Sequence, residues 1–271
     1  FDIERDDRSK PYGYCWKENA KVLTVPTLTP QQSLLLCLAE KYLKSLLPAH
    51  LMQSMEGFFE QARRNLGPDS NAQLEREWKD KVRVVATSQP LRPPPIDPGI
   101  FAAVSEALYD NHWLILDYRN IAGKYTREAQ VMPLGLAQQG PCLYLVCRFR
   151  GYDDDRSLAL HRILSARASM DTFARPKEFD LEKYDAEGRF GFGDGRRIRL
   201  SFCIDRETGL HLTESLLSAD QQVTERADDR LQISATVVDS LMLKWWLRSF
   251  GEAVSEICRD GEEIELEALG G

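Results

Sequence analysis

Residues 133–163, PLGLAQQGPCLYLVCRFRGYDDDRSLALHRI, decide the fold of this chain. Side chains alternate with period two over residues 142–149, which is typical of a β-strand with one face toward a core. One face is predicted to carry Cys142, Tyr144, Val146 and Arg148, and the other Leu143, Leu145, Cys147 and Phe149. Gly151 and the acidic run 153–155 predict a turn, after which residues 156–163 return as a second strand. Polar groups on rigid strands favour a binding site over catalysis.

A proline-rich segment and several helices are predicted upstream of this hairpin. Upstream, residues 90–98 hold five prolines in nine positions, so they form neither a regular helix nor a central strand. They predict a stiff connector and a domain boundary. Before the connector, helices are expected to begin at Thr29-Pro30 and after Pro48, followed by a helix over 73–79 and a short strand over 82–86.

After the connector, Asp97 is expected to cap a helix over 98–109, and short strands follow. The strands are predicted at 112–119, 124–137, 141–149, 156–163 and 164–170. Five short strands with tight turns indicate a small closed or nearly closed barrel.

A second α+β unit is predicted beyond Arg175-Pro176. It contains a glycine-rich stretch, GRFGFGDG at 188–195, which is expected to be a flexible loop because a strand follows it and not a helix whose start could bind a phosphate. Strands are expected over 198–204, 222–225 and 231–237, partly helical chain over 205–217, and a helix capped by Ser240. The acidic end of the chain is expected to fray.

Composition narrows the class of protein. The chain is 43% hydrophobic and 28% charged, with a net charge of −7 and a pI near 5.3. A self-sufficient duplex-DNA-binding domain usually has a high pI, so this chain is not predicted to be one. No apolar run approaches the roughly 20 residues that span a bilayer, and six scattered cysteines without a CxxC pair indicate reduced thiols and a cytoplasmic protein.

Catalytic and metal-binding motifs are not found in the sequence. It contains no GxSxG, GxxxxGK[ST] or HExxH segment, and its four histidines lack metal-ligand spacing. An enzyme using His161 as a general base would need an orienting carboxylate, and none accompanies it. We therefore predict no enzyme activity, no metal and no cofactor.

A group of polar side chains on the predicted strands remains as the candidate ligand site. It comprises Tyr118, Arg119, Lys124, Arg127, Tyr144, Arg148, His161 and Arg162. Arginine forks bind phosphate oxygens in pairs, and tyrosine offers a ring for stacking and a hydroxyl. The alternative for each single arginine is an ion pair with one of the many nearby acids on a solvated surface.

Motifs in this part of the sequence resemble those of a known family. Leu143-Tyr144-Leu145, the run 156–163 (RSLALHRI) and the upstream PLGL at 133–136 resemble the motifs of the WYL domain of bacterial transcriptional regulators. Leu143 replaces the family's tryptophan, Leu158 a phenylalanine, and His161 a residue that is commonly acidic. The resemblance implies an SH3/Sm-like β-barrel within an α+β chain.

The resemblance extends over most of the chain and implies its domain organisation. The expected parts are a remnant of a winged helix-turn-helix wing (1–26), a helical linker and dimerisation region (27–95), the WYL barrel (96–175), a C-terminal α+β extension (176–260) and a flexible tail (261–271). The DNA-recognition helices are expected before Phe1.

In function, the resemblance implies the effector-sensing and dimerisation part of a regulator. Such a homodimer binds operator DNA through its winged helix, and a nucleotide-like or single-stranded nucleic-acid effector in the barrel alters that binding. Some relatives control phage defence and others respond to DNA damage. The alternative is a module that binds RNA or single-stranded DNA directly. The effector, the operator and the sign of regulation stay open.

Overall fold

This computed structural model describes residues 3–6, 13–16, 28–44, 46–68, 70–85 and 88–270. The chain divides into two compact units, Phe1–Gln89 and Pro90–Gly271. Helices and antiparallel strands both occur, which confirms the α+β class. None of the helices in the described ranges combines the length and apolar character that a bilayer-spanning helix needs.

The first unit contains a short hairpin and three helices. They are β1 (Ile3–Asp6), β2 (Gly13–Trp16), α1 (Pro30–Leu43), α2 (Ala49–Asn65) and α3 (Gln73–Lys81). The Thr29 hydroxyl accepts a hydrogen bond from the Gln32 backbone N–H at 3.2 Å, and the Gln32 side chain accepts one from the Thr29 N–H at 2.9 Å. This capping box confirms the predicted start of α1.

The strand predicted over 82–86 is wrong for residues 82–85, and Ala86 lies outside the described residues. Val84 and Val85 are 77% and 74% exposed. A β-branched run forms a strand only when another strand pairs with it and half of its side chains are covered. Most of the wing predicted over 1–26 also lies outside the described residues.

The second unit begins with a helix that packs on a five-stranded antiparallel sheet, here called sheet A. Its elements are α4 (Pro98–Asp110), β3 (His112–Arg119), β4 (Tyr125–Gln139), β5 (Cys142–Phe149), β6 (Asp155–Ala159) and β7 (Ile163–Thr172), in the strand order β6-β5-β4-β3-β7. Asp97 caps α4 as predicted, accepting from the backbone N–H of Gly99 at 2.7 Å. Val104 and Ala107 of α4 are fully buried in one core with residues of the sheet.

Two expectations about this sheet need correction. The strand predicted over 156–163 ends at Ala159, and a 3-10 turn at Leu160–Arg162 follows it. The turn is needed because β6 lies at one edge of sheet A and β7 at the other. Within residues 88–270 no ladder joins β6 to β7, so the sheet keeps two edges and the closed barrel is not confirmed.

A short helix and a turn lead to the second sheet, here called sheet B. The elements are α5 (Leu181–Ala186), β8 (Arg197–Asp205), α6 (Arg206–Gly209), α7 (His211–Glu214), β9 (Gln222–Glu225), β10 (Arg230–Val238), α8 (Leu241–Arg248), β11 (Val254–Arg259) and β12 (Glu262–Glu263). Sheet B is antiparallel, in the order β12-β11-β8-β10-β9. Its core is built around Phe202, Ile233 and Leu247. The strands predicted over 222–225 and 231–237 and the Ser240 cap are confirmed.

Residues 269 and 270, in the segment expected to fray, are packed. Leu269 is 1% exposed and belongs to the core of sheet B. The backbone N–H of Gly270 donates to Oδ1 of the buried Asp239 at 2.7 Å. Apolar burial and a buried carboxylate therefore hold a segment whose composition alone predicts a mobile tail.

The glycine-rich stretch also packs closely against sheet B, because its glycines have no side chains that would hold the two apart. A Cβ on Gly188, which has φ +68°, would lie 2.9 Å from Cγ1 of Val238. A Cβ on Gly191 would lie 2.9 Å from Cβ of Met242. The glycines permit a close approach to the junction of β10 and α8, and the expected flexible loop is corrected accordingly.

Candidate functional site

Strand β5 places Tyr144 on the face opposite the core of sheet A. Leu143, Leu145 and Cys147 are buried in that core, whereas Tyr144 is half-buried. The predicted alternation is therefore confirmed. Because the side-chain period is two, the apolar residues that anchor the strand also fix the direction of the tyrosine.

The turn between β6 and β7 brings a positive charge to this tyrosine. Burial raises the pKa of Tyr144, Cys142 and Tyr118 add to the rise, and the guanidinium of Arg162 opposes it. Ala159, three residues before Arg162, pairs directly with Tyr144 across β5 and β6, so the turn begins beside the tyrosine. Residues distant in sequence thus meet, because the turn carries Arg162 from the edge at β6 toward β7.

Arg162 and His161 form the polar part of this group. No hydrogen bond or ion pair joins the Arg162 side chain to any residue in the described ranges, so its five donors remain available to an anion. The Nδ1 atom of His161 is buried without a partner. Burial and the neighbouring Arg162 lower the pKa of His161, so the ring is neutral near pH 7 and offers a polar contact rather than a charge.

Arg148 shares the Tyr144 face but is already neutralised. Its guanidinium donates to both oxygens of Asp155, at 2.8 and 3.3 Å, and lies 3.7 Å from Glu178. The hydrogen bond to Asp155 raises the pKa of Arg148. For this residue the structure shows the ion pair with a nearby acid, which was the alternative to a free anion-binding group.

The remaining predicted residues lie in or near the hairpin of β3 and β4. Arg119 donates to the Tyr125 hydroxyl at 3.3 Å, and its guanidinium carbon lies 5.8 Å from that ring. Lys124 and Arg127 are exposed. Tyr118 is only 8% exposed and packs in the core of sheet A, so little of its ring is available for stacking. The structure thus places Tyr144 on β5, His161 and Arg162 on the turn that follows its partner strand β6, and Tyr118 in the core of sheet A.

Aromatic residues that the sequence reasoning missed lie against Tyr144. The ring of Phe190 is 6.3 Å from that of Tyr144, and Tyr184 lies 5.3 Å from Phe190. The hydroxyls of Tyr184 and Ser157 are 3.0 Å apart. A glycine-rich stretch with two phenylalanines was the available signal, but only tertiary packing shows that Phe190 turns toward sheet A.

A cavity of about 390 Å³ opens beside this aromatic contact. Its lining consists of Ala137, Gln138, Gln139, Leu181, Glu182, Asp185 and Phe190. Ala137 pairs directly with Tyr144 across β4 and β5, and the ring of Phe190 packs against that of Tyr144. The cavity is therefore adjacent to the group formed by Tyr144, His161 and Arg162, which we call the tyrosine–arginine site.

The family model of the WYL domain matches residues 99–168, which run from the start of α4 into β7. This chain contains a WYL domain. The resemblance carried by the motifs at 143–145 and 156–163 is thereby confirmed, and the WYL domain supplies all three members of the tyrosine–arginine site. Phe190 and most of the cavity lining come from the segment that follows the WYL domain.

Two solved structures show weaker similarity to the chain. Proteasome accessory factor B/C of Arthrobacter aurescens is 20% identical over 93% of this chain and 35% of its own length, with a TM-score of 0.33. A CRISPR Cas-related protein is 14% identical over 58% of this chain and 46% of its own, with a TM-score of 0.39. The chain thus spans less than half of either protein. No curated protein matches it.

Proposed function

We propose that this chain is the effector-sensing and dimerisation part of a cytoplasmic bacterial transcriptional regulator. Its WYL domain, with the SH3-like architecture expected of that family, binds a nucleotide-like or single-stranded nucleic-acid ligand. Binding changes the affinity of an N-terminal winged helix for operator DNA, in a pathway such as phage defence or the response to DNA damage. The role proposed is regulatory and not catalytic.

The unpaired guanidinium of Arg162 beside Tyr144 is the observation that carries this proposal. Arg148 is paired with an acid and Arg162 is not, although both lie in a protein of net charge −7. A half-buried arginine without a partner is well suited to a phosphate, which it contacts with two parallel hydrogen bonds. Tyr144 and the neutral His161 add contacts for the rest of a nucleotide.

Homodimerisation is supported by the apolar surface of the first unit. Leu35 and Leu74 are 69% and 76% exposed, and Trp78 is 52% exposed. Large side chains of this kind on neighbouring helices commonly mark an interface. We therefore propose that α1 to α3 belong to the dimer interface expected for residues 27–95.

A binding experiment with 5′-phosphorylated hexanucleotides tests the ligand assignment. We expect Arg162→Ala to weaken binding of d(C)6 at least about tenfold, since it removes a charge-assisted hydrogen bond. Tyr144→Ala should weaken binding by a similar factor through loss of stacking. Fluorescence anisotropy measures both. Arg167→Ala is the matched control, because Arg167 lies on β7 in an exposed ion pair with Glu128.

Three results would separate the possibilities. Unchanged affinity in both Arg162→Ala and Tyr144→Ala would contradict the site. An equal loss of affinity in Arg167→Ala would show that binding depends on overall positive charge and not on this site. Binding that depends steeply on salt and is shared by oligonucleotides of every sequence, with no part for Tyr144, would favour the direct RNA or single-stranded DNA module instead.

A further inference from the structure

We propose that the 390 Å³ cavity next to Tyr144 recognises the base of the effector and prefers bases that carry an exocyclic amino group. This inference rests on the proposed function, since it needs a nucleotide whose phosphate is bound by Arg162. It assigns a role to residues outside the matched WYL segment, above all Glu182, Asp185 and Phe190.

The order of the groups matches the order of parts in a nucleotide. Arg162 lies in the turn that directly follows Ala159, the residue paired with Tyr144. The Tyr144 ring lies 6.3 Å from the ring of Phe190, and Phe190 lines the cavity. A positive group, two aromatic rings and a cavity are therefore connected in this order by neighbouring residues of the second unit. The cavity volume of about 390 Å³ is within the ordinary range for small-molecule sites.

The cavity offers apolar surface for the flat faces of a base. Phe190 provides a ring, and Leu181 and Ala137 provide aliphatic contact. Stacking on an aromatic ring accepts every base and supplies affinity without selectivity. The Gln139 side-chain amide donates to the Phe190 carbonyl at 3.2 Å, which anchors the backbone of that residue to the end of β4.

The selectivity comes from the acceptors at the cavity. The carboxylates of Glu182 and Asp185 have no side-chain hydrogen bond or ion pair with the described part of the chain. An ionised carboxylate only accepts hydrogen bonds, so it suits the amino group of cytosine or adenine and not the carbonyl of uracil. The same negative charge repels phosphate, so it directs the phosphate toward Arg162.

A cationic side chain of a protein partner would also suit two carboxylates next to an aromatic ring. The nucleotide is favoured because the unpaired Arg162 lies in the turn that follows the strand paired with Tyr144, where its charge would repel a cationic side chain. The protein partner is thus one outcome of the test and not part of the proposal.

The test compares d(C)6 with d(U)6, since cytosine and uracil differ at position 4 by an amino group in place of a carbonyl. We expect the full chain to bind d(C)6 about tenfold more tightly than d(U)6. In the double variant E182Q/D185N the ratio should fall to about one, because an amide offers both a donor and an acceptor. E178Q is the control, since Glu178 lies on the same segment but does not line the cavity.

The outcomes distinguish this inference from the proposed function. If the two hexanucleotides bind equally and Arg162→Ala weakens both, the function stands and the base pocket is refuted. If neither hexanucleotide binds the parent chain, both the proposed function and the base pocket are refuted. If an oligolysine peptide binds instead and E182Q/D185N abolishes that binding, the cavity belongs to a cationic partner and the proposal is overturned.

Discussion

Arg148 and Arg162 show how the surroundings of a residue decide its role. Both are half-buried arginines of the WYL domain. Arg148 lies opposite Asp155 in the ladder of β5 and β6, so a bidentate ion pair forms. Arg162 lies on the turn after β6, where no carboxylate in the described part of the chain lies within 4.0 Å of it. The first arginine stabilises the sheet, and the second is available to a ligand.

His161 should make folding stability depend on pH. Its pKa in the folded chain is lowered from 6.5 by burial and by Arg162, so the unfolded chain binds the proton more readily. Stability is therefore fully present above about pH 6.5 and falls as the pH decreases toward the folded pKa. We expect the parent chain to lose more free energy of unfolding between pH 7.5 and 5.5 than His161→Gln, as measured by urea denaturation at each pH.

His211→Gln serves as the control for this measurement, because His211 is exposed on α7. If His161→Gln loses as much stability as the parent over the same range, the ring is not desolvated and its role as a neutral contact in the site is excluded.

At the scale of elements, the glycine-rich segment connects the two sheets of the second unit. Its backbone packs against the junction of β10 and α8 in sheet B, while Phe190 reaches Tyr144 of sheet A. Leu181 of the preceding α5 lies so close to Gly135 of β4 that a Cβ there would be 2.9 Å from its Cδ1. Glycine positions thus set the distance between α5 and sheet A and between the segment and sheet B.

Substitution of Gly188 by alanine should lower the free energy of unfolding by more than the strain of its positive φ alone explains. Gly188 and Gly123 both have positive φ, +68° and +80°, so alanine is strained at either position. Only at Gly188 would the new Cβ meet a neighbour, Cγ1 of Val238 at 2.9 Å. We expect Gly188→Ala to lower the free energy of unfolding by about 1–3 kcal/mol more than Gly123→Ala does, as measured by urea denaturation.

Equal losses in the two glycine variants would contradict this packing. They would mean that residues 188–195 behave as the flexible loop that the composition predicts. A smaller loss in Gly188→Ala than in Gly123→Ala would contradict it equally.

At the scale of the whole molecule, the proposed roles divide between the two units. Every member of the tyrosine–arginine site and of the cavity lies in the unit Pro90–Gly271. The exposed apolar side chains that support dimerisation lie on helices of Phe1–Gln89. Ligand binding and dimerisation are therefore expected to be separable.

A chain beginning at Pro90 should fold and bind ligand but fail to dimerise. Both hydrophobic cores of the second unit lie wholly within 90–271, so this fragment retains what stabilises it. We expect a cooperative thermal transition by circular dichroism, affinity for d(C)6 within about twofold of the full chain, and a monomer in sedimentation equilibrium. The full chain is expected to be a dimer in the same run.

Two results would contradict this division of roles. A fragment that remains dimeric would show that the dimer interface does not lie on helices α1, α2 and α3. A fragment that folds but no longer binds d(C)6 would show that the first unit contributes to the ligand site.

The sequence by itself determined most of the elements and the face that β5 turns to the core, because both depend on local rules. Period-two alternation fixed Tyr144 opposite Leu143, and cap residues such as Thr29 and Asp97 set helix starts. Only the tertiary structure decided which polar residues meet. The pairing of Arg148 with Asp155, the exposed edges at β6 and β7, the packed glycines and the approach of Phe190 to Tyr144 all arise from contacts between separate segments. Such contacts depend on distances in space, which composition and periodicity do not contain.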